Sequence, residues 1–130
     1  MADVQMKVIL ASSSRWRAAL LEEVGLSCEV VAPGADEAAI TADTTVQTAI
    51  CRAIAKAETA AQDHPDAVVI GADQVIHLDG QTIGKPAGAA DWLARLQVLR
   101  GRTHQLSTAV AIVASGQTEH FHVDTLVSFR

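Results

Sequence analysis

The chain has 130 residues, 49% of them hydrophobic and 19% charged. This is enough for one domain with a sizeable core and too apolar for a disordered segment. Lys and Arg number 10 against 15 Asp and Glu, a formal charge of -5, so no basic stripe serves duplex nucleic acid, and a bound phosphate must be met by a few placed cations and backbone amides.

Two cysteines, Cys28 and Cys51, form no metal-ligand cluster and suit a reducing compartment, where they read as small buried hydrophobes. No apolar run approaches the roughly 18 residues of a membrane span. The start, Met1–Lys7, lacks the charged-then-apolar layout of a secretory signal. One cytoplasmic domain over residues 1–130 is expected, with no nucleic-acid and no membrane partner.

Val8–Ala11 is short, apolar and β-branched at its start, and reads as a buried strand. After Ser12, Ser13 and Ser14 the apolar spacing changes to three and four, through Trp16, Ala19, Leu20 and Val24. A serine of that triplet can cap the helix, and Gly25 stands where a left-handed residue ends one. A second strand is expected over Ser27–Ala32. Thr44 and Gln47 match a capping box ahead of a long helix with Ala49, Ala53, Ala57 and Ala60 on one face, closed by His64–Pro65.

Val68–Ala72 reads as a central strand buried on both faces. Val75–Leu78, Asp79–Gly80 and Gln81–Ile83 then form a hairpin signal. A helix is expected over Ala89–Leu99, with Trp92, Leu93, Leu96 and Leu99 turned inward and Gly101 ending it. Strands at Gln105–Val113 and Glu119–Val127 follow, joined at Ser115–Gly116. The alternation predicts an α/β fold, a mixed twisted sheet flanked by helices.

Three segments are candidates for chemistry. At Ser12–Arg17, hydroxyls and two guanidiniums sit at a helix N-terminus, whose free amides and partial positive charge favour an anion. The alternative is a serine-rich cap with solvated arginines. Asp73 follows an apolar strand, at the end of an α/β sheet where ligands gather. It can hold a divalent cation, accept a proton from water, or only turn the chain. Gly80–Pro86 has three residues between its glycines where a P-loop needs four, and Pro86 where a metal-binding hydroxyl belongs. It is not a P-loop. What remains is Lys85, a point charge between Gly84 and Pro86. His120 and His122 share a strand face but lack a third zinc ligand, His104 is expected to be a structural hydrogen-bonder, and Trp92 is expected in the core.

In order along the chain, Leu10–Leu21, Asp36–Glu37, Ala55–Ala57, Gly71–Gln74, Leu78–Gly80, Gly84–Pro86, and Gly101–His104 with Thr108 resemble the Maf family of nucleotide pyrophosphatases. The resemblance runs from Lys7 to the last residue. It implies a Maf/ITPase-like fold and hydrolysis of a nucleoside triphosphate between its α and β phosphates, with a divalent metal, magnesium or manganese. It further implies Asp73 as proton acceptor, Ser12, Arg17, Lys85 and Lys56 as phosphate ligands, and Glu37 with Asp73 at the metal.

Trp16 with Gln74 resembles the subgroup acting on 7-methyl-GTP, where the dTTP/UTP subgroup carries Arg and Thr. A cationic methylated base stacks favourably on indole. Arg15 and Ala18 depart from the family pattern. Family members also continue past Val123–Arg130, so the chain is expected to hold the N-terminal part of that fold, short of a complete second lobe. Two other readings stay open: a catalytically silent nucleotide-binding remnant, rebuilt through a homodimer, and an acidic interaction module.

Overall fold

Ile9, Leu10 and Ala11 are exposed by 1% or less, and they form the inner strand from which the sheet is built. The computed structural model describes residues 6–84 and 87–130. Strand β1 (Val8–Ala11) lies between β2 (Glu29–Val31) and β3 (Val68–Leu78) and is parallel to both. On the far side of β3 runs β5 (Thr103–Ala114), antiparallel, followed by β6 (Gln117–Ser128). The order is β2-β1-β3-β5-β6, with β4 (Gln81–Ile83) paired to the end of β3. At the start of β1 the Lys7 ammonium bonds Glu29 on β2 at 2.9 Å, and that contact lowers the Glu29 pKa.

The helices form where local signals place them. In α1 (Arg15–Glu23), Ser14 Oγ accepts from the Arg17 amide at 3.4 Å. In α2 (Thr45–Asp63), Thr44 Oγ1 accepts from the Gln47 amide at 3.0 Å, which satisfies an otherwise orphan donor. α3 spans Ala89–Leu99. The β1-α1-β2 crossover and the β2-α2-β3 crossover move in opposite directions along the sheet. Right-handed connections therefore set α1 and α2 on opposite faces.

The core lies under α2. Ala49, Ala53 and Ala57 are fully buried against Ile9, Ala11, Val69, Ala109 and Ala111. Small side chains let the helix approach closely, and Gly71 marks the nearest point. A Cβ there would stand 2.4 Å from the Ala53 carbonyl oxygen and 2.8 Å from the Ala57 nitrogen.

Several expectations need correction. Asp73 does not follow a strand that stops at Ala72: β3 is one strand of 11 residues running through Asp73 and Gln74. Its continuity comes from β5, which pairs with it from Val69 to His77. Trp92, Leu93 and Leu96 are not inward, being 57%, 58% and 47% exposed, and of that stripe only Leu99 is buried. Cys51 is exposed and Cys28 half-buried, so neither is a core residue. His104 is buried, yet its Nδ1 has no partner. It packs edge-on against Phe129 at 5.1 Å instead of anchoring a hydrogen bond.

Candidate functional site

The β1-facing edge of β3 is covered in two pieces. β1 pairs with Val68–Gly71 and β4 with Ile76–Leu78, so among the described residues no strand lies against 72–75 on that side. Asp73 and Gln74 sit in this gap, held from the other side by β5. A break of this kind at the carboxyl end of a parallel strand is where α/β sheets admit ligands.

Side chains alternate along β3, so Asp73 shares the α2 face with Gly71, while Gln74 faces the other way. On the α2 face, Lys56 replaces an apolar residue in the buried stripe of α2 and is itself 5% exposed. Its ammonium donates to the Ala72 carbonyl at 2.9 Å and to Asp73 Oδ1 at 3.2 Å, and it is paired with Glu37 Oε1. Glu37 opens a short 3-10 turn, Glu37–Ala39, and comes to the site from the loop ahead of α2. An ammonium has three hydrogens, and three acceptors surround this one. Asp73 Oδ2 remains buried without a partner among the described residues.

Ser12 and Arg17 form a second group. Ser12 is 2% exposed, and its amide donates to Val31 on β2 at 3.1 Å. Its hydroxyl oxygen accepts from Arg17 Nη1 at 3.1 Å and from the Ser14 amide at 3.0 Å. Arg17 therefore projects from the first turn of α1 with one N–H tied down, and its other guanidinium hydrogens make no side-chain hydrogen bond among the described residues. Ala11 is the register partner of Gly71, so Ser12 lies level with Ala72 and one residue short of Asp73, with backbones roughly 5 Å apart. The strand register brings the two backbone segments to neighbouring positions at this end of the sheet, and no hydrogen bond among the described residues joins the two groups.

Trp16 is 70% exposed beside this turn, with the Arg15 guanidinium carbon 5.0 Å from its ring centroid. Gln74 donates through Nε2 to Thr108 Oγ1 at 2.9 Å. The Lys85 expectation lies outside the described residues. His122 contacts Asp124 at 3.7 Å, and Asp124 accepts from Ser107 at 2.7 Å. Ser107 also meets His77 Nε2 at 3.0 Å. Sequence reasoning missed this buried serine relay, and only the β3–β5–β6 register brings its members together. The part that Lys56 plays had a local signal, since position 56 falls in the same helical stripe as Ala49, Ala53 and Ala60.

Among the described residues no three His, Cys, Asp or Glu side chains converge as a metal cage. Glu37 and Asp73 flank one ammonium, and Asp73 Oδ2 is unpartnered. This donor set fits a hard cation of the magnesium type, which binds through one or two carboxylates and completes its shell with phosphate oxygens and water. No described helix is long and apolar enough to cross a membrane.

Known proteins resemble the chain in sequence and in fold. The chain is 44% identical over 110 residues to a 7-methyl-GTP pyrophosphatase of Albidiferax ferrireducens, covering 85% of this chain and 55% of that protein. It is 43% identical over 125 residues to a 7-methyl-GTP pyrophosphatase of Ralstonia nicotianae, covering 95% and 64%. A dTTP/UTP pyrophosphatase of Symbiobacterium thermophilum is 39% identical over 123 residues, covering 95% and 63%. The chain thus spans about three fifths of the length of these relatives.

Among solved structures, a HAM1 protein from Coxiella burnetii superposes with a TM-score of 0.61 at 18% identity, over 94% of this chain and 72% of that one. The Staphylococcus aureus Ham1 protein gives 0.58 at 19%, over 92% and 70%. These two share the fold, a mixed α/β sheet with flanking helices. The Maf-like protein family model matches residues 7–130, and with that match over nearly its whole length the chain belongs to the Maf-like family.

Proposed function

We propose that this chain carries the phosphoanhydride-cleaving centre of a cytoplasmic nucleoside triphosphate pyrophosphatase. It hydrolyses the bond between the α and β phosphates to give a monophosphate and pyrophosphate, with 7-methyl-GTP as preferred substrate. The observation that carries the reading is Asp73: one carboxylate oxygen is pinned by Lys56, and the other is buried without a partner at the gap in the β3 edge. The names of the relatives support the same class of reaction.

In this reading Arg17, positioned by Ser12, and Lys85 meet the phosphate chain. Asp73 Oδ2 takes a proton from water as the water oxygen bonds to phosphorus and the bridging oxygen leaves with pyrophosphate. Glu37 and Asp73 would hold a divalent cation, which supplies charge neutralisation at the phosphate oxygens. Lys56 was expected as a phosphate ligand. With its three donors committed to Glu37, Asp73 and the Ala72 carbonyl, it acts by fixing the angle of the acid. Asp73→Asn should lower turnover by at least about a hundredfold while nucleotide affinity is largely kept. Equal loss of both would remove Asp73 from the chemistry.

Base preference rests on Trp16 and Gln74. A methylated guanine is cationic, and the exposed indole already holds a guanidinium near its ring, so cation stacking is favourable there. Trp16→Arg should reduce the preference for 7-methyl-GTP over dTTP and UTP. An unchanged ranking would remove Trp16 from the specificity argument, and a parent chain that prefers dTTP or UTP would favour the reading that one relative's name suggests.

Self-association is proposed along β6, whose outer edge has no strand partner among the described residues. Two copies paired antiparallel about His122 would set His120 opposite Asp124 of the second copy and Phe121 opposite its Val123, matching charge on one face and apolar surface on the other. Sedimentation at high micromolar concentration tests this, and a monomer there would overturn it.

A further inference from the structure

Gln74 and Thr108 are direct partners across the β3–β5 pair. They occupy the sheet face opposite Asp73. The Gln74 amide nitrogen donates to Thr108 Oγ1 at 2.9 Å, and this contact is exposed. A free glutamine turns either end of its amide toward a ligand, its carbonyl or its amino group. Here the amino end is held. Thr108 is β-branched, so its χ1 is restricted on a strand and its hydroxyl keeps one direction. With the amino end on Thr108 Oγ1, the Gln74 carbonyl is directed away from Thr108.

An outward carbonyl is an acceptor, and it selects among bases by their edges. Guanine, methylated at N7 or not, presents a ring N–H and an amino group side by side, so an acceptor meets donors across that stretch. Uracil and thymine present one N–H between two carbonyls, and those carbonyls repel another carbonyl placed against the edge. We propose that Thr108 is a positioning residue for base selection: it holds Gln74 so that the glutamine carbonyl favours a guanine edge and disfavours a pyrimidine one. This inference rests on the nucleotide reading above and adds a residue that touches no substrate.

The test compares kcat/KM for 7-methyl-GTP with that for dTTP in the full chain. Thr108→Val keeps the shape and removes the hydroxyl. It should lower the ratio about three- to tenfold, the range of one hydrogen bond, through KM for the guanine nucleotide. Thr108→Ser restores the hydroxyl and should keep the ratio within about twofold. In a Gln74→Ala background Thr108→Val should change the ratio no further, because the group it positions is gone.

If the parent chain prefers the guanine nucleotide and Thr108→Val leaves the ratio unchanged, lowering both substrates equally or neither, Thr108 is only a sheet residue. The inference then fails while the nucleotide reading stands. If the parent chain prefers dTTP and Thr108→Val abolishes that preference, the amide is held the other way round and the inference is overturned. If the parent chain hydrolyses neither nucleotide, the nucleotide reading itself falls and takes this inference with it.

Discussion

The two faces of the sheet are built on different principles. Under α2, alanines and Gly71 bring helix and sheet into direct contact, and the ionic group Glu37–Lys56–Asp73 is held at the margin of that packing. On the opposite face, Trp16 and Leu20 stay largely exposed and no residue of α1 is buried; Trp92, Leu93 and Leu96 of α3 are exposed as well. In the proposed function, chemistry and selection divide along the same line. The acid and its lysine need a fixed, partly desolvated setting, whereas Trp16 and Gln74 need access to a base.

The largest effect should come from breaking the close contact. Gly71→Val places a branched side chain where even a single carbon would overlap the Ala53 carbonyl. The loss should be about 3 kcal/mol, measured by denaturant unfolding, and hydrolysis should fall with it as Lys56 is lifted from Asp73. An unfolding midpoint close to the parent would mean that α2 is not seated as described.

Next comes Lys56→Met, which fits the apolar stripe but strands the mostly buried Asp73 carboxylate. Glu37, with its side chain 43% exposed, can turn to solvent, so the cost should be about 2 kcal/mol and not the full penalty of a buried orphan charge. The double variant Lys56→Met/Asp73→Leu should recover stability but not hydrolysis. Recovery of neither would show that the ion pair is not what Lys56 supplies.

The smallest effect is expected on the exposed side of α3. Trp92→Gln removes a large side chain that is 57% exposed, and stability should move by no more than about 0.5 kcal/mol. A larger drop in thermal unfolding would mean that α3 is covered in solution.

The comparison also explains what could be read in advance. Thr44 and Gln47 announce the start of α2, and the structure closes that cap at 3.0 Å. Asp79 and Gly80 announce the turn into β4, and both take positive φ, 52° and 80°, as a tight hairpin turn requires. Both signals are made by residues within a few positions of each other. The helical stripe of α3 was legible too, but a stripe tells only which side chains share a face. Whether anything lies against them is a separate matter, and for Trp92, Leu93 and Leu96 nothing among the described residues does so to the point of burial.

The candidate site divides the same way. Ser12 and Arg17 are five residues apart, and a strand followed by a capped helix nearly dictates their contact. Asp73 and Lys56 are seventeen apart, on different elements, and their pairing depends on α2 crossing above Gly71 and not elsewhere. Gln74 and Thr108 are thirty-four apart and meet only because β5 pairs along almost the whole of β3.

By itself, then, the sequence determined the order of strands and helices and the caps and turns at Thr44–Gln47 and Asp79–Gly80, since these follow from backbone preference and periodicity over a turn or two. The tertiary structure alone decided that β3 continues through Asp73 and Gln74, that Lys56 serves the acid, and which face each of these side chains takes. Those outcomes depend on strand register and on how closely a helix can approach a sheet, and neither is written in any short stretch of chain.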